Sequence, residues 1–282
     1  MRPRPLAGMT LLLTRPEGRN AESRRALEDL GARVFEEPLT RTSPLPDEEY
    51  ASFDKALGAI GSYDWVLFTS AEGVRYSLAR ASETAGRLAV LPDFIPAGVR
   101  VAAIGPATAE AVHSAGRKPD LVPSDYRAEG LVEALAEAAG GLRGQRLLLL
   151  RAREGRDVIP RDVEAMGGEV DVVPVYRTEG VPDGAARATA RLAAGGIDLV
   201  VMTSGAAVDE LASAMACRPD LKATTRIAAI GPVTAAKARR QGFDVVVEPP
   251  RATAASLVLA LVSLSGKRER NDRSQEHDEK ET

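Results

Sequence analysis

Cysteine and histidine are so scarce in this 282-residue chain that most common catalytic apparatus is excluded at once. Cys217 is the sole cysteine, so neither an intramolecular disulfide nor a cysteine metal cluster can form. His113 and His277 are the only histidines, and His277 lies in a charged C-terminal run. A histidine-centred triad and a Cys/His zinc site are thereby set aside, and no metal is expected. No segment approaches the ~20 apolar residues that span a bilayer, so no membrane role is expected. The opening MRPRPLAGMTLLLTRPEG has only a short apolar stretch before Arg15, too short for a secretory signal core. A short disordered lead into a first strand, and a cytoplasmic location, are the expectation.

The net charge of −3 carries no basic excess, which argues against a nucleic-acid partner. Neither GxGxxG nor GxxxxGK[ST] follows any apolar run, so a nucleotide site has no local support. What remains is a globular balance, 44% apolar and 27% charged, in a chain long enough for two cores.

The chain repeats itself. LLLTRPEGRNAESRRALEDLGARVFEEPLTRT from Leu11 resembles LLLLRAREGRDVIPRDVEAMGGEVDVVPVYRT from Leu147, with Arg15 and Arg151, or Pro38 and Pro174, 136 apart. LFTSAEGV around Ser70 matches VMTSGAAV around Ser204 at an offset of 134, and RVAAIGPATAEAVHSAG from Arg100 matches RIAAIGPVTAAKARRQG at 126. Three blocks in one order, with offsets that shrink only at loops, indicate a duplication.

Within each copy, short apolar runs alternate with helical spacing. Strands are predicted at 11–14, 33–37, 64–69, 101–104 and 120–122, and again at 147–150, 170–175, 198–203, 227–230 and 244–247. Stretches such as AESRRALEDL and ATAEAVHSAG read as helices ending near a glycine. The expectation is an α/β protein of two similar parallel-sheet, flavodoxin- or Rossmann-like domains, with ligands beyond the carboxyl ends of the strands in the interdomain cleft. Residues 266–282 lack apolar periodicity and are expected to form a disordered charged tail, with an interaction tail as the alternative.

Three kinds of strand-to-helix turn recur. Thr69–Ser70 and Thr203–Ser204 can cap the following helices, and the same geometry offers amides to an anion. Gly105-Pro106-Ala107-Thr108 and Gly231-Pro232-Val233-Thr234 pair a tight turn with a first-turn proline, which leaves Thr108 and Thr234 unexplained by turn chemistry. Arg15 and Arg151 end the first strand of each copy, where guanidinium groups could meet carboxylates or simply face solvent. One block breaks the symmetry: Pro38-Leu39-Thr40-Arg41-Thr42 aligns with Pro174-Val175-Tyr176-Arg177-Thr178. With no usable histidine, Tyr176 is the best available proton donor; packing in a hinge is the other reading.

LLLTRP, FTSAEGV, VAAIGPATA with its repeat IAAIGPVTA, and PVYRT, in this order over residues 10–262, resemble the uroporphyrinogen-III synthase family. From the residues alone a simple tandem with one linker is equally permitted. The resemblance instead implies two crossings: one domain from 1–38 plus 178–265, a second from 43–173, and the Pro-x-x-Arg-Thr segments as adjacent linker strands. It implies a lyase without cofactor or metal that converts the linear octacarboxylate hydroxymethylbilane to uroporphyrinogen III, with loss of water and inversion of ring D. It further implies a monomer that could receive its substrate by handover from hydroxymethylbilane synthase. By position, Tyr176 matches the tyrosine proposed to assist hydroxyl loss. Thr108, Thr234, Ser70 and Ser204 match cleft residues, with Thr69, Thr203, Arg15 and Arg151 beside them. Glu72 departs from the asparagine often found after the Thr-Ser block. A non-catalytic tetrapyrrole- or anion-binding module of the same fold is the alternative.

Overall fold

A computed structural model describes residues 4–278, with side chains to residue 266. The chain divides into two compact units: one runs to Arg41 and resumes at Glu179, and the other is Thr42–Thr178. In chain order the first unit contributes β1 (Thr10–Leu13), α1 (Ala21–Asp29) and β2 (Arg33–Glu36), then leaves along β3 (Thr40–Ser43). The second unit contains α2 (Ala51–Gly58), β4 (Trp65–Phe68), α3 (Ala71–Ala85), α4 (Leu91–Phe94), β5 (Arg100–Ala103), α5 (Pro106–Ser114), α6 (Ala128–Ala139), β6 (Arg146–Ala152) and α7 (Val158–Ala165). The chain returns along β7 (Glu169–Gly180). It completes the first unit with α8 (Gly184–Ala193), β8 (Leu199–Met202), α9 (Gly205–Ala214), α10 (Pro219–Thr224), β9 (Arg226–Ala229), α11 (Pro232–Arg240), β10 (Asp244–Val247) and α12 (Ala254–Asp278).

Each unit is therefore built from part of each sequence copy. The first sheet has the order β10-β9-β8-β1-β2 and the second β3-β7-β6-β4-β5. The repeat offsets are repeated in the strand register. Thr10 faces Arg33 as Arg146 faces Glu169. Leu11 faces Leu199 as Leu147 faces Trp65, and Val200 faces Ile227 as Val66 faces Val101. Even the bridge between Ala102 and Leu121, all that forms of the strand expected at 120–122, matches the pairing of Ala228 with Val247. The swap of parts, rather than a tandem, is what places β3 and β7 side by side as connecting strands.

Burial explains why the strands read as unbroken apolar runs. In β4, Trp65 and Leu67 pack with Leu131, Leu147 and Val163, while Val66 and Phe68 pack with Phe53, Val74 and Leu148. In the first unit Leu12, Val200 and Met202 join Val208 and Leu211, and Leu11, Leu13 and Val201 join Leu257 and Leu261. With helices on both faces, alternating side chains are all apolar and the period of two disappears from the sequence.

The segments around 39–42 and 174–177, expected as linkers between domains, run into the adjacent strands β3 and β7. Leu39 bonds to Thr14 and Val181 in the first unit, whereas Pro174 and Tyr176 still pair with β6 in the second. The tail expected to be disordered from 266 continues α12 as far as Asp278, and 279–282 lie outside the described residues. A helix already anchored by buried Leu257 and Leu261 extends at one backbone hydrogen bond per residue, without a new nucleation step.

Candidate functional site

In the second unit the site is built at the carboxyl ends of β4, β6 and β7. Pro174 has no N–H to give the β6–β7 ladder, and the register shifts there: Arg151 faces Pro174, but Ala152 faces Tyr176. The irregularity interrupts the alternation, so that Val175 and Tyr176 are both buried, at 0% and 7% exposure. The phenol of Tyr176 ends 2.9 Å from Oγ of Ser70.

Ser70 sits where β4 gives way to α3. Its backbone is extended, and its Oγ accepts the N–H of Gly73 at 3.0 Å, the geometry of an N-cap. Gly73 keeps the approach close, since a Cβ there would stand 3.2 Å from the Leu150 carbonyl and 3.4 Å from Ser70 Oγ. A serine hydroxyl has two acceptor lone pairs and one proton, so it can cap the helix and still bond the phenol. Burial pushes the Tyr176 phenol above the ordinary tyrosine range. The Ser70 bond pulls it down, and the nearby Glu72 and Glu154 carboxylates push it up. The outcome is a phenol that stays protonated at neutral pH, which is the state a proton donor requires.

Tyr176 does not stand alone. Its ring stacks on Tyr76, with centroids 5.2 Å apart and planes within 10°. Tyr76 donates to Thr42 Oγ1 at 3.3 Å, and Thr42 donates to Glu72 at 3.4 Å. Glu72 also accepts two bonds from Arg75, at 2.6 and 2.8 Å. The carboxylate that departs from the family pattern is therefore turned onto a guanidinium.

The other loops of this unit differ in availability. Gly105 precedes α5 in extended conformation, where a Cβ would stand 3.4 Å from Tyr126, and Thr108 lies in the first turn at 4% exposure. Arg151 is engaged within its own loop: it bonds Asp157 at 2.7 Å and the Arg156 carbonyl, and its side chain is 11% exposed. The aligned arginine at a strand end thus organises the turn into α7.

The first unit repeats the framework without a counterpart of Tyr176. Ser204 caps α9 by accepting the Ala207 N–H at 3.2 Å. Gly231 and Pro232 open α11, with Thr234 at 6% exposure. Arg15 and Thr203 line a small enclosed pocket with Asn20, whose Oδ1 is buried without a partner. The structure brings Ser70 and Tyr176 together in one unit, and Arg15 and Thr203 together in the other. Reasoning from sequence missed Tyr76, Thr42 and Asn20. Only the scarcity of tyrosine could have drawn attention to Tyr76, because its partner lies 100 residues away in the chain.

Among the described residues no helix is long and apolar enough to cross a membrane. A family model described as uroporphyrinogen-III synthase HemD matches residues 21–259. A putative uroporphyrinogen-III synthase of Methanothermobacter thermautotrophicus is 32% identical over 263 residues, covering 91% of this chain and 98% of the relative. The uroporphyrinogen-III synthase of Synechococcus elongatus is 29% identical, covering 93% and 97%. Among solved structures, a mutant uroporphyrinogen III synthase of Thermus thermophilus has a TM-score of 0.63 at 21% identity, covering 92% of this chain and 99% of that one, which supports the fold. With a family model spanning most of its length, a relative above 30% identity and the two-unit fold, the chain belongs to the uroporphyrinogen-III synthase family.

Proposed function

We propose that this chain is a uroporphyrinogen-III synthase, a cyclising lyase that closes hydroxymethylbilane with inversion of ring D. The observation that carries the reading is the buried, protonated Tyr176 phenol held 2.9 Å from Ser70, in a family whose members bear that activity in their names. In the proposed sequence Tyr176 gives its proton to the departing hydroxyl of the substrate, which leaves as water. The resulting azafulvenium carbon is attacked by the substituted carbon of ring D to form a spiro intermediate. Its fragmentation and reclosure at the free carbon, with loss of the proton there, deliver the inverted ring. The proton lost in that last step balances the one donated in the first.

Helix N-termini supply the anion-binding side. The amides at the starts of α3 and α9, beside Thr69–Ser70 and Thr203–Ser204, suit carboxylates without needing a basic surface. Thr108 and Thr234 sit in the first turns of α5 and α11 and would fix orientation. Arg15 is proposed to meet a carboxylate, and Arg151 would do so only by exchanging Asp157 for it.

The test is a coupled assay in which hydroxymethylbilane is generated in situ and the oxidised products are resolved as type I and type III isomers. Predominantly type III product establishes the activity. Type I alone, at the uncatalysed rate and with folded protein, overturns it in favour of a binding module.

A further inference from the structure

Resting on the reading of Tyr176 as proton donor, we infer that Tyr76 is a positioning residue whose ring fixes the Tyr176 phenol against Ser70. The case is geometric. A tyrosine at the carboxyl end of a strand can turn about two side-chain torsions, and a single hydroxyl contact does not hold its plane. The parallel Tyr76 ring, 5.2 Å away, restricts that plane.

Tyr76 is itself restrained by two elements of the same unit, α3 and β3. It sits in the second turn of α3 at 5% exposure, so its Cα moves only with the helix that Ser70 caps. Its hydroxyl is tied to Thr42 in β3, and the Arg75 guanidinium lies 4.0 Å from its ring centroid. Arg75 is in turn locked by two bonds to Glu72, which also accepts from Thr42. Cap and plate are thus carried by the start of α3, and the donor by β7. The groups that act on the Tyr176 phenol are Ser70 at the cap of α3, Glu72 and Tyr76 within α3, and Glu154 from the loop after β6. None of them besides Tyr76 meets the ring face to face.

The test combines activity with a signal from Tyr176 itself, using the full chain with 13C-labelled tyrosine and Tyr176→Phe to assign the resonance. Tyr76→Leu removes the plate, and Tyr76→Phe keeps it while losing the Thr42 bond. Tyr76→Leu is expected to lower kcat about tenfold with KM changed less than about twofold. The Tyr176 resonance should lose its single sharp environment and titrate closer to a free tyrosine. Tyr76→Phe should restore at least half of the activity and the resonance. Thermal melting of each variant checks folding, and Tyr76→Met, which fills more of the ring's volume but offers no plane, serves as the second probe if Tyr76→Leu unfolds: it should broaden the Tyr176 signal in the same way. An unchanged Tyr176 resonance in a folded Tyr76→Leu, or in Tyr76→Met if that variant has to be used, overturns the inference. If instead Tyr176→Phe is fully active, the donor reading fails, and the resonance still reports whether Tyr76 positions the ring.

Discussion

The phenol oxygen of Tyr176 and Oγ of Ser70 lie 2.9 Å apart, joining the end of the β6–β7 ladder to the residue that caps α3. One hydroxyl therefore serves both a helix terminus and the proposed proton donor, and a change at either is felt by the other.

Tyr176→Phe is expected to lower formation of the type III isomer at least about tenfold, a floor beneath the roughly 10²–10⁴-fold that general acid catalysis contributes. Its melting temperature should stay close to that of the parent, since the ring and its stack on Tyr76 remain. Full activity would remove the phenol from the reaction.

Ser70→Ala and Ser204→Ala each delete an N-cap and should each cost about 1 kcal/mol by urea unfolding. Ser70→Ala also deprives the buried Tyr176 hydroxyl of its partner, adding about another 1 kcal/mol. Equal losses in the two variants would show that the Ser70–Tyr176 contact contributes nothing to stability.

Glu72 pushes the Tyr176 phenol upward, so Glu72→Gln favours the phenolate and lowers its titration. A donor acts only while protonated, so activity falls as pH rises through that titration. The alkaline limb of the pH–rate profile should accordingly move to lower pH in Glu72→Gln. A limb that stays in place would show that another group governs it.

Tyr63 is a separate alkaline group of the second unit. It donates to Asp171 at 2.5 Å, and burial together with that ionised partner pushes its phenol up to about 12. A raised phenol pKa means that the folded chain holds the proton more tightly than the unfolded one. The stability this contributes is complete below the ordinary value of 10 and is lost as pH rises toward 12. Denaturant midpoints measured across that window should fall less steeply for Tyr63→Phe than for the parent, and parallel slopes would refute the assignment.

Gly130, in the first turn of α6, leaves no room for a side chain: a Cβ would lie 2.5 Å from the Asp125 carbonyl oxygen. Gly130→Ala should destabilise by about 1–3 kcal/mol through forced backbone movement. Gly58→Ala, with open space around it at the end of α2, should be neutral or slightly stabilising in the same unfolding assay.

Much of this was legible in the residues. The apolar runs predicted at 64–69, 198–203 and 227–230 are β4, β8 and β9, because buried parallel strands carry apolar side chains on both faces. Thr69–Ser70 and Thr203–Ser204 announced caps, because a hydroxyl before a helix is a local requirement of its unpaired amides. The charged segment from 266 gives no helical signal of its own, because its helix continues from the apolar anchor before it.

The sequence by itself determined the duplication, the strand and helix order, and the residues able to carry proton chemistry. These depend on spacing and on side-chain type, which are local. Only the tertiary structure decided that each unit takes part of each copy, that Arg151 is engaged by Asp157, and that Tyr176 rests between Ser70 and Tyr76. Those outcomes depend on which strands pair across more than a hundred residues, and parallel pairing is settled by the packing of both sheet faces rather than by any single segment.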